Sequence, residues 1–285
     1  MPNIKTLTVL GTGVLGSQIA YQAAFHGFAV TAYDIHDQVL EKARARFARL
    51  AGIYQAEKVA GASEGKAETA LDNLRLTDDL ADAVADADLV IEAVPELLEL
   101  KRDVYRKLAD LAPARTIFAT NSSTLLPSDL KDFTGRPDRF LAIHYANNIW
   151  AQNIAEVMGT TETAPAVYDA VVEFARNSGL EPIEIKKEKA GYVLNSLLVP
   201  LLNAAAGLLL QGIADPQTID KTWRIATGAP SGPFQIYDVV GLATAYNIAS
   251  SSSDAGSQAF AHYLKDNYID KGKLGVSTGE GFYTY

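Results

Sequence analysis

Residues 6–34 read TLTVLGTGVLGSQIAYQAAFHGFAVTAYD, and no other stretch restricts the fold of the chain as tightly. An apolar run at residues 7–10 enters Gly11, Gly13 and Gly16, a helical pattern follows, and a second apolar run at residues 28–33 ends at Asp34. This order predicts a strand, a tight turn, a helix and a second, parallel strand. Gly11 allows the turn, Gly13 lets the main chain approach a pyrophosphate, and Gly16 lets helix and strand pack closely. The helix N-terminus then offers free N–H groups and a positive dipole end to the phosphates. A carboxylate at Asp34 accepts hydrogen bonds from the adenosine ribose and repels a 2′-phosphate, and Ile35 and His36 rather than a basic residue follow it. NAD is therefore expected as cofactor in preference to NADP.

After Asp34 the strands do not resume at once. Residues 37–73 hold two helical patterns, at 38–55 and 66–74, around a small-residue break at 60–63. That is too long for an ordinary crossover and reads as a helical insertion. Strand patterns return at 89–94, 116–120, 140–145, 156–158 and 182–186, with helical patterns at 97–111, 127–133 and 164–177. The alternation predicts an α/β fold, a Rossmann-type, doubly wound, largely parallel sheet over residues 1–186. From residue 187 onward the pattern is helical, broken at 228–233 and 250–256, and an all-helical C-terminal domain is expected over residues 187–285.

The formal net charge of −9 leaves no basic field for a phosphate backbone, so nucleic acid is not an expected partner. Cysteine is absent, which removes disulfides, thiolate nucleophiles and cysteine metal sites and suits a reducing compartment. No metal centre is expected. The first residues run straight into an apolar strand without a charged n-region, an apolar h-region or a small-residue cleavage site, so a cytoplasmic location is expected. Residues 191–213 carry no charge and have the length of a membrane span, but Asn195, Pro200, Asn203 and Gln211 interrupt them. A buried helix or helix pair at the centre of the second domain is expected instead, with no membrane partner.

Among the four histidines, His26 reads as the end of the first helix, His36 as loop and His262 as part of a late helix, which leaves His144 at a strand end. Glu156 follows it twelve positions later in AIHYANNIWAQNIAE. That stretch alone is compatible with an acid–base pair and with a structural strand-end histidine, the commoner reading without further context.

Further motifs resolve the choice. "IEAVPE" at 91–96, "TNSSTL" at 120–125, "RPDRFLAIHYAN" at 136–147, "AGYVLNSLLVP" at 190–200, "SGPFQIYDVVGL" at 231–242 and the closing "TGEGFYTY" resemble, in order and spacing, the L-3-hydroxyacyl-CoA dehydrogenases, a family that includes 3-hydroxybutyryl-CoA dehydrogenases. The resemblance covers the whole chain. It implies NAD-dependent interconversion of a 3-hydroxyacyl-CoA and a 3-ketoacyl-CoA, with His144 as general base of alcohol oxidation and Glu156 orienting its imidazole. It places Ser123 and Asn195 around the reacting oxygen, and Ala93, Glu96, Lys101, Ser123 and Asn147 at the cofactor beside Gly11, Gly13, Gly16 and Asp34. It also implies a homodimer formed through the second domain. The chemistry agrees: a proton must leave the alcohol oxygen as hydride leaves the carbon, and histidine suits that transfer near neutral pH. Simpler roles remain open for several of these residues. Ser123 could cap the helical turn that follows it, Asn195 could bond a neighbouring helix, and Glu96 and Lys101 could be solvated helix charges.

The chain also departs from the family. Where the histidine is commonly followed by an aromatic pair and Asn-Pro, this chain has Tyr145, Ala146, Asn147 and Asn148. Gln152, Ile154 and Ala155 replace the usual methionine, leucine and valine before the glutamate, Ala190 replaces a proline, and Ser277 replaces a lysine. These changes spare the acid–base pair and alter its surroundings. The insertion at 37–73 resembles the family's CoA-facing hairpin, with Lys58 and Lys66 available for phosphate, so acetoacetyl-CoA is expected to be reduced at least about a hundredfold more efficiently than acetoacetate. A polar hydroxy acid or hydroxymethyl substrate without CoA, as in gulonate- and carnitine-type dehydrogenases, is the alternative, and a non-catalytic NAD-binding protein like the family's lens crystallins a third reading.

Overall fold

Strand β1 (Thr6–Leu10) sends Leu7 and Val9 into one hydrophobic cluster and Leu10 into another. The same division recurs in β4 (Leu89–Glu92), β5 (Ile117–Thr120) and β6 (Phe140–Tyr145), where Leu89, Ile91, Ile117, Ala119, Leu141 and Ile143 face one way and Val90, Phe118 and Phe140 the other. Strands buried on both faces need helices on both faces, and a doubly wound α/β layer results. With β2 (Ala29–Tyr33), β3 (Leu74–Thr77), β7 (Ile154–Gly159) and β8 (Glu181–Ile185) the sheet has eight strands in the order β3-β2-β1-β4-β5-β6-β7-β8. Every neighbouring pair is parallel except β6 and β7.

This is a computed structural model, and it describes residues 3–285. They fall into two compact units, the first ending at Val193 and the second running from Leu194 to Tyr285. The break lies a little beyond the residue-187 position read from the sequence because Tyr192, 1% exposed, is packed into the first unit.

Helix α1 (Val14–Phe25) is buried from Gly16 to Phe25. The insertion explains why, since α2 (Asp37–Ala56) and α3 (Lys66–Asp72) pack on α1. Tyr54 stands edge-on to Tyr21 and Phe25 with ring centroids 4.9 Å away in each case, and the Tyr21 hydroxyl donates to the Ala67 carbonyl at 2.7 Å. Two elements after the insertion differ from the sequence reading. Leu74 begins β3 instead of ending a helix, and α4 (Leu80–Val84) follows, capped by the Asp79 side chain. Residues 127–133, read as a helix, form two 3₁₀ turns, Pro127–Asp129 and Lys131–Phe133. Helices α5 (Leu98–Leu111) and α6 (Pro165–Asn177) stand where the periodicity puts them.

The second unit is helical: α7 (Leu194–Leu210), α8 (Pro216–Thr227), α9 (Pro233–Val240), α10 (Leu242–Ser250) and α11 (Ala255–Asn267). Phe234, Tyr237, Leu242, Phe260, Leu264 and Phe282 form its core. The expectation of a buried central helix over 191–213 is corrected here. In α7 only Leu202, Ala205 and Ala206 are buried, and Leu197 is 69% exposed. Among the described residues no helix is long and apolar enough to cross a membrane.

Two buried carboxylates secure the end of the second unit. Asp238 accepts from the Phe282 and Tyr283 amides at 2.9 and 3.0 Å and from the Tyr285 hydroxyl at 3.0 Å. Asp220 accepts from the Phe234 and Gln235 amides and the Tyr283 hydroxyl, each at 2.9 Å. A Cβ on Gly281 would stand 2.1 Å from Asp238 Oδ1, so glycine is required for this close approach. Burial holds the Asp238 carboxyl above its ordinary range.

Candidate active site

The order of the strands reverses between β1 and β4, and such a reversal opens a crevice beyond the carboxyl ends of parallel strands. The glycine loop lies there. Gly11 has a left-handed φ of 94°, and a Cβ on it would meet the Ala93 carbonyl oxygen at 2.6 Å. A Cβ on Gly16 would stand 2.0 Å from the Gly11 oxygen, whereas one on Gly13 would meet no atom of the protein within 4 Å. Two glycines thus serve packing, and the third leaves open space at the start of α1. Gly13 is the N-cap residue and no side chain caps the helix, so the first-turn N–H groups are left to bind an anion. At the end of β2, Asp34 Oδ2 accepts from the Thr12 amide at 2.8 Å and the Thr12 hydroxyl at 2.7 Å. Arg46 of α2 donates to the Thr12 carbonyl at 2.8 Å, which ties the insertion to the loop. The open space at Gly13 suits a pyrophosphate, and the Asp34 carboxylate after β2 suits a ribose.

The carboxyl ends of β5 and β6 bring the expected acid–base residues together. His144 and Glu156 are register partners across the antiparallel β6–β7 pair, so twelve residues of sequence become adjacent side chains on one face. His144 Nδ1 lies 3.0 Å from Glu156 Oε2 and Nε2 lies 3.0 Å from Ser123 Oγ, with both His144 and Glu156 buried. A carboxylate at Nδ1 favours the tautomer with the proton there, which would turn the Nε2 lone pair toward Ser123.

Ser123 is held by Glu96. One oxygen of Glu96 accepts from the Ser122 hydroxyl, the Ser123 amide at 3.0 Å and the Thr124 amide at 2.9 Å. Partial burial pushes the Glu96 carboxyl up, but these donors and the Lys101 ammonium outweigh it and bring it down to about 2. Lys101, expected among cofactor contacts, is 1% exposed. Its ammonium lies 2.6 Å from Glu92 and 3.3 Å from Glu96, because Glu92, fully buried at the end of β4, needs a countercharge. Its place is behind Glu96 rather than at the surface.

Of the other expected residues, Ala93 borders the glycine loop, Asn147 is exposed in the loop after β6, and Asn195 lies in the first turn of α7 in the second unit. Among the described residues no group of three or more acidic or histidine side chains is placed to hold a metal ion.

Sequence reasoning did not single out Thr12, Gln18 or Tyr192. The Gln18 side chain accepts from the Asn148 amide at 2.8 Å and the Ile149 amide at 3.3 Å, fixing the loop after β6 to α1. Tyr192 stacks on His144, with ring centroids 4.5 Å apart at 13°, from a backbone φ of 50° that is costly for a bulky residue, on the order of 1–2 kcal/mol. An aromatic beside glycine in an apolar run carries no mark that separates it from core.

A dinucleotide crevice bordered by a buried imidazole with a carboxylate on one nitrogen and a hydroxyl on the other defines a class, the oxidoreductases that move hydride and proton together. Within that class the chain belongs to the 3-hydroxyacyl-CoA dehydrogenase family: residues 6–189 match the family's NAD binding domain and residues 191–285 its C-terminal domain. It is 34% identical to the mitochondrial hydroxyacyl-coenzyme A dehydrogenase of Rattus norvegicus, over 99% of this chain and 91% of that one. It is 31% identical, with the same coverage, to the 5-formyl-3-hydroxy-2-methylpyridine 4-carboxylate 5-dehydrogenase of Mesorhizobium japonicum. A solved structure described as "Substrate-directed dual catalysis of dicarbonyl compounds by diketoreductase" is 68% identical and superposes with a TM-score of 0.95 over all of both chains. The protein is an NAD-dependent oxidoreductase of this family.

Proposed function

We propose that the protein reduces one carbonyl of a compact dicarbonyl compound with NADH, His144 acting as the acid–base residue, and that CoA is not required. The observation that carries this reading is the 68% identity, over both full chains, to the diketoreductase structure. A 3-ketoacyl thioester is itself a dicarbonyl, so the chemistry of the family is kept and only the handle changes. The insertion bears on the choice through its two lysines: the Lys66 ammonium sits 4.3 Å over the Phe25 ring, turned to α1, whereas Lys58 is exposed.

In reduction, His144 Nε2–H delivers a proton to the carbonyl oxygen and Glu156 stabilises the imidazolium until that moment. Ser123 holds the oxygen in line with Nε2 by a hydrogen bond, the role that the family resemblance also gives Asn195. Bound NADH supplies the hydride. Gly11, Gly13, Gly16 and Asp34 hold the cofactor, with Ala93, Glu96 and Asn147 beside it and Lys101 fixing Glu96. Apolar α7 side chains such as Leu197 are assigned to a homodimer contact, and the cysteine-free chain to the cytoplasm.

The second reading, a 3-hydroxyacyl-CoA substrate, is favoured by the family match itself. NADH oxidation with acetoacetyl-CoA, ethyl acetoacetate, pentane-2,4-dione and acetoacetate separates the two. The proposal expects kcat/KM for an uncharged dicarbonyl to equal or exceed that for acetoacetyl-CoA. An advantage of about a hundredfold for the thioester, or roughly 2.7 kcal/mol, would establish the CoA reading instead.

A further inference from the structure

Residues 191–193 touch every member of the acid–base group. The Gly191 amide donates to the Ser123 carbonyl at 3.0 Å, and the Val193 amide donates to Glu156 Oε1 at 2.9 Å. Between them the Tyr192 ring lies flat against His144, and its hydroxyl donates to the Ser122 carbonyl at 2.8 Å. We propose that Tyr192 is a positioning residue of the reaction, with two separable parts. Its ring fixes the plane of the imidazole and, through its electron-rich face, favours the imidazolium. Its hydroxyl ties that ring to the serine loop that Glu96 organises.

An aromatic that only filled space would need neither feature. Tyr192 takes a left-handed backbone, φ 50°, to bring its ring parallel to His144 at contact distance. A cation over an aromatic face is stabilised, and more so away from water, where Tyr192 and His144 both lie. Burial, with Glu156, Glu96 and Glu92 nearby, pushes the Tyr192 phenol up, so it stays a donor. The groups facing the imidazole are Glu156 on Nδ1 from β7, Ser123 on Nε2 from the loop after β5, and Tyr192 on its face. Glu96 stands one residue behind, paired with Lys101, which also holds Glu92.

This inference rests on the reading of His144 as acid–base residue, and the test keeps the two apart. Full-length H144A, Y192F and Y192L are compared with the parent, using whichever of ethyl acetoacetate and acetoacetyl-CoA the parent reduces better, with NADH Kd from fluorescence. Reduction needs the imidazolium, so its rate falls on the alkaline side. In Y192L that limb moves to lower pH by about half a unit or more and kcat drops about tenfold, while NADH Kd stays within about twofold. Y192F keeps the ring, so the limb stays in place while kcat falls about threefold. If Leu does not fold there, Tyr192→Met refills the space and replaces it. An unmoved limb in the aliphatic variant overturns the role of the ring, and parent-like kcat in Y192F overturns the tether and with it the proposal as stated. Parent-like turnover in H144A would instead sink the catalytic reading beneath both.

Discussion

Gly13 and Gly16 stand in one loop and answer to different demands. A methyl group on Gly16 has nowhere to go, 2.0 Å from the Gly11 oxygen, whereas one on Gly13 points into open space. Gly16→Ala is therefore expected to weaken NADH binding and lower the melting temperature of the apoprotein together. Gly13→Ala should cost the apoprotein about 1 kcal/mol or less and yet lose NADH affinity, because its methyl group occupies ground reserved for the pyrophosphate. Fluorescence titration beside thermal unfolding reads both; a Gly13→Ala protein that binds NADH like the parent would place the phosphates elsewhere. At this scale the sequence was legible wherever a residue type has few alternative uses. Three glycines at fixed spacing are such a case, whereas His144 at a strand end stayed ambiguous until the order of the other motifs was added. Tyr192, Thr12 and Gln18 were not, because a tyrosine, a threonine or a glutamine has the same appearance in a string whether it supports a site or fills a core.

The β6–β7 hairpin shows what an element adds. Asn148, which stands where the family usually has proline, takes φ 59° and donates its amide to Gln18. Proline can do neither, since its ring fixes φ near −65° and removes the N–H. The departure noticed in sequence is thus a different loop path rather than a neutral exchange. That path is secured further on, where the Trp150 indole donates at 2.6 Å to Glu57, the residue that follows α2. Asn148→Pro is expected to destabilise the protein by at least about 2 kcal/mol in urea unfolding, and Asn148→Gly by under about 1 kcal/mol. Equal stability of the two would mean that the left-handed turn carries no weight. Long buried strands such as β6 were readable from composition. β3 was not: it has four residues, is partly exposed at the sheet edge, and directly follows a helical pattern whose end nothing in the sequence marks.

Across the whole molecule, the last residues are tied to the second unit by hydrogen bonds to a buried carboxylate. Asp238→Ala would orphan three donors, on Phe282, Tyr283 and Tyr285, and is expected to destabilise the second unit by about 3 kcal/mol or more. Calorimetry should show its transition at lower temperature, with NADH still bound by the first unit; a single unchanged transition would deny the tail any anchoring role. The division into sheet and helical units was legible because hydrophobic period changes along the chain, but the exposed face of α7 was not, since an apolar helix reads alike whether its partner is its own fold or another molecule. The pairing of His144 with Glu156 across two hydrogen-bonded strands has a separate consequence. The ladder aligns the two side chains through main-chain hydrogen bonds of the strands, whereas residues 146–153 are held by separate anchors, Gln18 for Asn148 and Ile149 and Glu57 for Trp150. Heredity can therefore treat the hairpin as two parts: the strands pass on a reaction, and the loop can change only as fast as its own anchors allow.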